Sequence, residues 1–341
     1  MRQCVLACCL VAFLGLWLSS ACAENYTGDF LTNGVGGRAL GMGGAYAALA
    51  DDVTATYWNP AGIAHVPDKS QIGFMHAARR SGLGSFSYAG AVSRINTWLA
   101  LGASWIHAGV DDIPIYPAFD PNTTPGERQN VAKFRPTFEP SGFLSDSENA
   151  YVLTVGVKQA IGQAWWNNFG RDSRPPEFSM GVNVKWVSQS LGGSRADGIG
   201  FDAAILIRMP DVAAMLGSQA FGGFSVGVNV QDVSDTTLTW NTVSGRKEAI
   251  PTHLRFGLAY HNEVILGRPV VITYERETRY GGQSNAGLEY QLATPLTLRI
   301  GLRGGEFAGG AGVSFRRFRV DYALVMNDLL NTHYVSLLAG F

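Results

Sequence analysis

The feature that most restricts this chain is an alternation between bulky apolar and small or polar side chains, repeated from about residue 70 onward. A two-residue period puts successive side chains on opposite faces, which is the geometry of a strand and not of a helix. One row reads Phe178, Met180, Val182, Val184 and Trp186, and its opposite reads Ser179, Gly181, Asn183 and Lys185. Ile199, Phe201, Ala203, Ile205 and Ile207 likewise oppose Gly200, Asp202, Ala204, Leu206 and Arg208. Leu254, Phe256, Leu258 and Tyr260 oppose Arg255, Gly257, Ala259 and His261. Leu296, Leu298, Ile300 and Leu302 oppose Thr297, Arg299, Gly301 and Arg303, and Phe318, Val320, Tyr322 and Leu324 oppose Arg319, Asp321, Ala323 and Val325.

A soluble sandwich also alternates, so the period alone does not choose between water and lipid. Three features favour lipid. The segments run about 9–11 residues, the length of a tilted transmembrane strand. The polar rows mix small residues with charges of both signs, as a wet or plugged lumen would. Aromatics (Tyr151, Trp186, Tyr260, Tyr274, Tyr290) fall near segment ends, where interface girdles belong. Charged residues make up 16% of the chain, against roughly 25% in ordinary soluble domains. After residue 23 no apolar run approaches the ~18–20 residues of a membrane helix.

The segments 71–79, 84–94, 97–107, 150–159, 178–188, 198–208, 224–233, 252–261, 269–275, 283–291, 297–303, 308–315, 318–325 and 332–341 are the expected strands. They amount to about 14, an even number as bacterial single-chain barrels have. The expected fold is therefore all-β, a transmembrane antiparallel β-barrel. With the N-terminal segment on the periplasmic side, the long gaps 108–149 and 234–251 fall outside as loops, and the short turns 292–296 and 316–317 fall in the periplasm. Two gaps, 160–177 and 209–223, are longer than this rule favours, and Pro210 to Leu216 reads as a short helix.

Residues 1–23 read as an export signal: Arg2, an apolar stretch from Val5 to Leu18, and an Ala21-Cys22-Ala23 cleavage site. Acylation at Cys22 is the alternative, weakened because Leu18 sits one place too early for a lipoprotein signal. Cys4, Cys8, Cys9 and Cys22 all lie in this segment, so the exported chain has no disulfide framework, thiolate metal site or cysteine nucleophile. Of 26 Lys and Arg, loss of Arg2 leaves 25 against 27 Asp and Glu, a net charge of −2 that gives nucleic acid no basic field. The closing row Val335, Leu337, Ala339 and Phe341 has the form of a signal for the outer-membrane assembly machinery, with Phe341 its terminal aromatic.

Between the signal and the first strand lies Gly34-Val35-Gly36-Gly37-Arg38-Ala39-Leu40-Gly41-Met42-Gly43-Gly44-Ala45, then Ala50-Asp51-Asp52 and Trp58-Asn59-Pro60-Ala61-Gly62. In order and spacing these runs resemble the N-terminal signature of the FadL superfamily, and within it the PorV/PorQ-like branch. The stretch Ala196 to Asp202, the blocks from Phe224 to Asp232 and from Ile250 to Tyr260, and the closing Asn331 to Phe341 are similar to later blocks of that branch. The resemblance implies three parts: a signal at 1–23, a lumenal hatch at 24–66 and the barrel at 67–341. It implies hatch residues Arg38, Gly41, Gly43, Gly44, Asp51, Asp52, Asn59 and Pro60. Glycine suits such a plug, since it permits close backbone approach, and Asn59-Pro60 favours a tight turn. Lys185, Asp202, Arg255, Arg299 and Asp321 are the lumen-facing candidates, and Asp51, Asp52, Arg38 and Asn59 could pair with wall charges such as Lys185, Arg255 or Arg299 or stay solvated.

Enzymatic and metal chemistry find little support. The glycines at 36–44 lack the βαβ context of a dinucleotide loop. The six histidines have no ligand spacing, Asp51-Asp52 lacks the further ligands of a calcium loop, and no Gly-x-Ser-x-Gly elbow occurs. A Ser–His pair brought together only by folding stays open, with nothing local to support it. No catalytic residue, metal or cofactor is expected. The Pro-rich 114–140 stretch is expected to be an ordered external loop where specificity could sit.

Two functions remain. The resemblance implies a channel passing small hydrophobic, fatty-acid-like molecules by passive diffusion past the hatch. The alternative it implies is a PorV-like component of type IX secretion that binds and escorts cargo proteins. The partners expected are outer-membrane lipid, the assembly machinery, and a hydrophobic ligand or secretion-system proteins.

Overall fold

The computed structural model describes residues 27–79, 84–116, 124, 126, 140–162, 174–210, 212, 222–262, 267–326 and 331–341. The signal segment, most of the Pro-rich 114–140 stretch and the 210–216 helix expected above lie wholly or largely outside these residues.

Sixteen strands follow in chain order: β1 (Ser70–Arg79), β2 (Ser85–Arg94), β3 (Leu99–Ile115), β4 (Gly142–Ala160), β5 (Glu177–Leu191), β6 (Ser194–Met209), β7 (Gly223–Gln231), β8 (Thr236–Trp240), β9 (Lys247–Ile250), β10 (His253–Asn262), β11 (Val270–Glu277), β12 (Gln283–Ala293), β13 (Leu296–Arg303), β14 (Glu306–Phe315), β15 (Phe318–Val325) and β16 (Thr332–Gly340). All but β8 and β9 form one antiparallel ring, which closes where β1 pairs with β16. The result is a 14-strand transmembrane β-barrel. Among the described residues no helix is long and apolar enough to cross a membrane. Strands do the crossing, and closure leaves no lipid-facing edge unpaired.

Each of the fourteen expected segments falls on a ring strand, and its two rows face as the alternation requires. Outward stand Phe74, Leu153, Ile199 and Ile300, the last three 66%, 62% and 53% exposed. Inward on the ring strands stand buried Asn183, Lys185, Asp202, Arg299 and Asp321. An apolar belt of this extent is tolerable in lipid and costly in water.

Two expected loops need correction. The 108–149 gap is not all loop: β3 runs on to Ile115 and β4 begins at Gly142, paired through Ile115↔Gly142 across an irregularity between Val110 and Ile113. The 234–251 gap holds the β8–β9 hairpin, which extends β6 through Ala196↔Trp240 and Asp197↔Thr239. Hairpins beyond the membrane carry no lipid-facing row, so the alternation that marks spanning strands does not mark them. The strands β3 to β6 are 15–19 residues long against 8–11 for β10 to β16. One side of the barrel thus stands taller by roughly 20 Å along the strands, at about 3.3 Å per residue.

Candidate functional site: the interior of the ring

Residues 27–66 form short turns, Asp29–Thr32, Gly37–Gly41, Ala55–Trp58 and Pro60–His65, and most of their side chains are buried. The stretch is too short in any one helix to be stable alone. It is held by the inward faces of the strands. Thr27 donates from Oγ1 to Glu248 on β9 (3.2 Å), and Arg303 donates to the carbonyls of Thr32 and Asn33. At the opposite end of the ring His65 meets Ser179 and Glu177, where β5 begins. The stretch therefore runs from one mouth to the other.

Along the way its backbone is served from all sides. Gly37 N donates to Ser336 Oγ (2.6 Å), and Val53 N to Gln71 Oε1 (2.6 Å). Tyr46 N and Ala47 N both donate to Glu275 (3.0 and 2.8 Å). Asn183, Asn229 and Gln231 donate to the carbonyls of Thr56, Trp58 and Tyr57 at 2.8–3.0 Å. A segment so irregular can be buried only when such side chains satisfy its peptide groups.

Close approach is set by glycine. Gly43 has φ +67°, and a Cβ there would collide with the Leu302 backbone; a Cβ on Gly301 would in turn collide with Met42 and Gly43. On the other side a Cβ on Gly181 would strike Pro60 and Ala61. Gly41 packs on Gly310 and Gly44 on Trp58. Asn59 accepts from Ala61 N (3.0 Å) and donates to the Ala47 carbonyl (2.7 Å), which closes the turn that Pro60 starts.

The charges form a closed circuit. Arg38 binds Asp51 (2.6 Å) and Glu289 (2.8 Å), and Glu289 binds Arg299 (2.6 Å). Arg299 binds Asp321 (2.8 Å), Asp321 binds Arg319 (2.8 Å), and Arg319 binds Asp52 (2.6 Å). The Tyr46 hydroxyl donates to Asp52 (2.9 Å) and accepts from Arg38 (3.0 Å), which completes the loop. Burial opposes ionisation of Asp52, yet Arg319, Arg38 and the Thr54 hydroxyl outweigh it and hold the carboxyl below its ordinary range. Burial raises the Tyr46 phenol well above its ordinary value, so it stays a hydroxyl. Arg38 is held charged by Asp51 and Glu289 against the cost of burial.

The direct pairings expected between the segment and Lys185, Arg255 or Arg299 do not form. Lys185 binds Asp202 and Asp232 (both 2.8 Å), Arg255 binds Glu275 and Glu277 (2.7 and 2.8 Å), and Arg299 stays with Glu289 and Asp321. Each of these cations finds wall acids on adjacent inward positions, closer than any segment acid. The wall residues that reach the segment's charges are Glu289 and Arg319, which sequence reasoning did not single out. Arg319 stands two residues from Asp321 in the same row, and that spacing was the available signal.

His65 Nε2 lies 2.5 Å from Ser179 Oγ, and His65 Nδ1 lies 3.2 Å from Glu177. The order of groups is that of a hydrolase triad. Its mechanics are not. Ser179 is fully buried beneath the Pro60–His65 turn, and lifting that turn to admit a substrate would carry the base away with it. Burial, with Arg208 nearby, lowers His65 to about 4, so at neutral pH the neutral ring fastens the turn to β5.

A cleft bounded by Leu31, Tyr57, Ile106, Lys185, Asp232 and Arg279 offers about 10 Å³, roughly space for one water.

Fold and interior together define a closed, internally packed membrane barrel. No protein-family model matches the chain, and no curated protein matches it in sequence. Its fold is shared by the toluene transporter TbuX of Ralstonia pickettii (12% identity, TM-score 0.51, covering 90% of this chain and 98% of that one). The toluene transporter TodX of Pseudomonas putida is similar to the same degree (14%, 0.51, 90% and 96%). So is the monoaromatic hydrocarbon channel CymD (13%, 0.55, 90% and 98%). The likeness is one of barrel architecture.

Proposed function

We propose that the protein is an outer-membrane channel for small hydrophobic molecules, such as hydrocarbons or fatty acids, and not an enzyme. The observation that carries this reading is the interior. A ring of this size would enclose a wide aqueous pore, yet residues 27–66 occupy it almost completely. A filled lumen stops bulk polar solutes, which a general porin must pass. It suits solutes that can exchange with apolar side chains as the packing rearranges. The shared fold with TbuX, TodX and CymD, each titled a hydrocarbon transporter or channel, supports the same solute class.

In this reading residues 24–66 act as a hatch, residues 1–23 as the export signal, and Phe341 as part of the assembly signal. Passage in this reading is by passive diffusion past the hatch. The test is uptake of labelled toluene and labelled long-chain fatty acid by cells whose outer membrane lacks other hydrocarbon channels. Expression of this protein should raise uptake of at least one; equal uptake with an empty vector for both ends the reading.

A second reading, a PorV-like escort in type IX secretion, is favoured by the Gly-Arg-Ala-Leu-Gly-Met-Gly-Gly and Trp-Asn-Pro-Ala-Gly runs. The tall wall of β3 to β6 with β8–β9 would then be the cargo-facing surface. Pull-down of the tagged barrel that recovers secretion subunits, with no gain in solute uptake, would favour it.

A further inference from the structure

The mouth that carries the β14–β15 turn bears an arc of cations on its outer rim, apart from the interior. Backbone hydrogen bonds fix the order of the arc. Gly340 N donates to Arg317 O (2.8 Å), Phe341 and Ser70 exchange bonds (2.8 and 3.1 Å), Arg94 N donates to Lys69 O (2.8 Å), and Lys158 N donates to Trp98 O (2.8 Å). Arg317, Lys69, Arg94 and Lys158 thus succeed one another from β15 round to β4.

The charges on this arc are unevenly spent. Lys158 faces Glu177 at 3.6 Å, and Arg94 donates to the carbonyls of Pro67 and Asp68. Asp68, a further carboxylate on this arc, accepts from Gln71 and abuts Gly340. Among the described residues no ion pair involves Lys69, Arg316 or Arg317, and all three are exposed. The opposite mouth mixes both signs, with Asp111, Asp112, Asp146, Glu148, Glu248 and Glu306 beside Arg195, Arg246, Lys247, Arg276 and Arg279.

Beside the cations stand large apolar side chains. Ile95, Trp98, Phe315, Phe318 and Phe341 are each more than half exposed, and the Arg316 guanidinium lies 5.3 Å above the Phe315 ring. They continue the lipid-facing belt to its edge. Aromatic side chains at such an edge sit at the hydrocarbon boundary, which places cations one residue further at the level of lipid phosphates. A zwitterionic headgroup brings its own ammonium to that level. An anionic headgroup does not, and leaves the protein's cations the nearest counter-charge.

We propose that this rim binds anionic phospholipid headgroups of the adjoining leaflet through Lys69, Arg316 and Arg317, with Trp98 and Phe315 setting the depth. The interaction belongs to the outer surface and is independent of what crosses the lumen.

The test compares lipids carried by the purified full-length barrel after exchange with equal amounts of phosphatidylglycerol and phosphatidylcholine of identical chains, read by native mass spectrometry. The wild-type barrel should retain phosphatidylglycerol several-fold over phosphatidylcholine at low salt, and lose that preference as salt rises. The triple variant Lys69→Gln, Arg316→Asn, Arg317→Gln should lower the enrichment by up to about fivefold per cation removed. Heat-modifiable gel migration checks that the variant is folded; if it is not, the salt titration of the wild-type barrel decides alone. Equal retention of the two lipids, or a preference that salt or the variant leaves intact, overturns the proposal.

Discussion

The Arg255 guanidinium lies over the Trp58 indole, 5.0 Å from its centroid, while its nitrogens reach Glu275 at 2.7 Å and Glu277 at 2.8 Å. One wall cation thereby holds two wall carboxylates and an aromatic of the N-terminal stretch. Arg255→Leu strands both carboxylates in the interior, at a cost of about 3–5 kcal/mol. Arg255→Lys keeps the charge but loses the two-pronged geometry, and should fall between. Urea unfolding in lipid vesicles, followed by tryptophan fluorescence, should rank the three proteins in that order.

Gly301 tests whether the interior seals the barrel. A Leu there occupies the place of Met42 and Gly43, so the packed stretch must shift while the ring, in which position 301 faces inward, stays intact. Planar-bilayer recording should show a much larger ion conductance for Gly301→Leu than for wild type. Matching conductances would mean that residues 27–66 do not block ions.

The His65 site gives a pH dependence with a definite sign. A histidine lowered to about 4 in the packed state takes up its proton there later than a free ring, which titrates near 6.5. Its stabilising effect is complete above pH 6.5 and declines as pH falls from there toward 4. Glu177, Lys158 and Arg208 face the ring. Limited proteolysis of residues 27–66 should accelerate between pH 7.5 and 4.5 in wild type, and far less in His65→Gln.

The outward belt predicts a depth effect. Arg in place of Leu153, 66% exposed at the middle of β4, should destabilise the barrel by about 2–4 kcal/mol in a bilayer. Val243→Arg in the β8–β9 turn should change stability by less than about 0.5 kcal/mol, as for a surface site. Folding titrations into phosphatidylcholine vesicles separate the two.

The ring was legible because lipid on one side and packed interior on the other force strict alternation, as at Met180 to Trp186 against Ser179 to Lys185. The β8–β9 hairpin and the extensions of β3 and β4 were not, since nothing hydrophobic constrains both their faces. For the interior, Arg38, Asp52 and Asn59 stood out through their motifs. Their partners did not. Glu289 and Arg319 lie some 250 residues away, and only the ring's closure determines which inward charge meets which turn. The inward glycines 181 and 301 looked like ordinary small lumen residues, whereas each is the imprint of a particular turn lying against it.

The pairing of β1 with β16 over nine positions has a consequence for how such a molecule is made. The stretch that precedes the wall in the chain is encircled only when β16 docks beside β1. Until then the Ser336 hydroxyl, which accepts from the Gly37 amide, and Arg319, which donates to Asp52, have no enclosed stretch to meet. Sealing the wall and stoppering the bore are thus one cooperative event, and a half-built ring holds neither a barrier nor a leak of defined size.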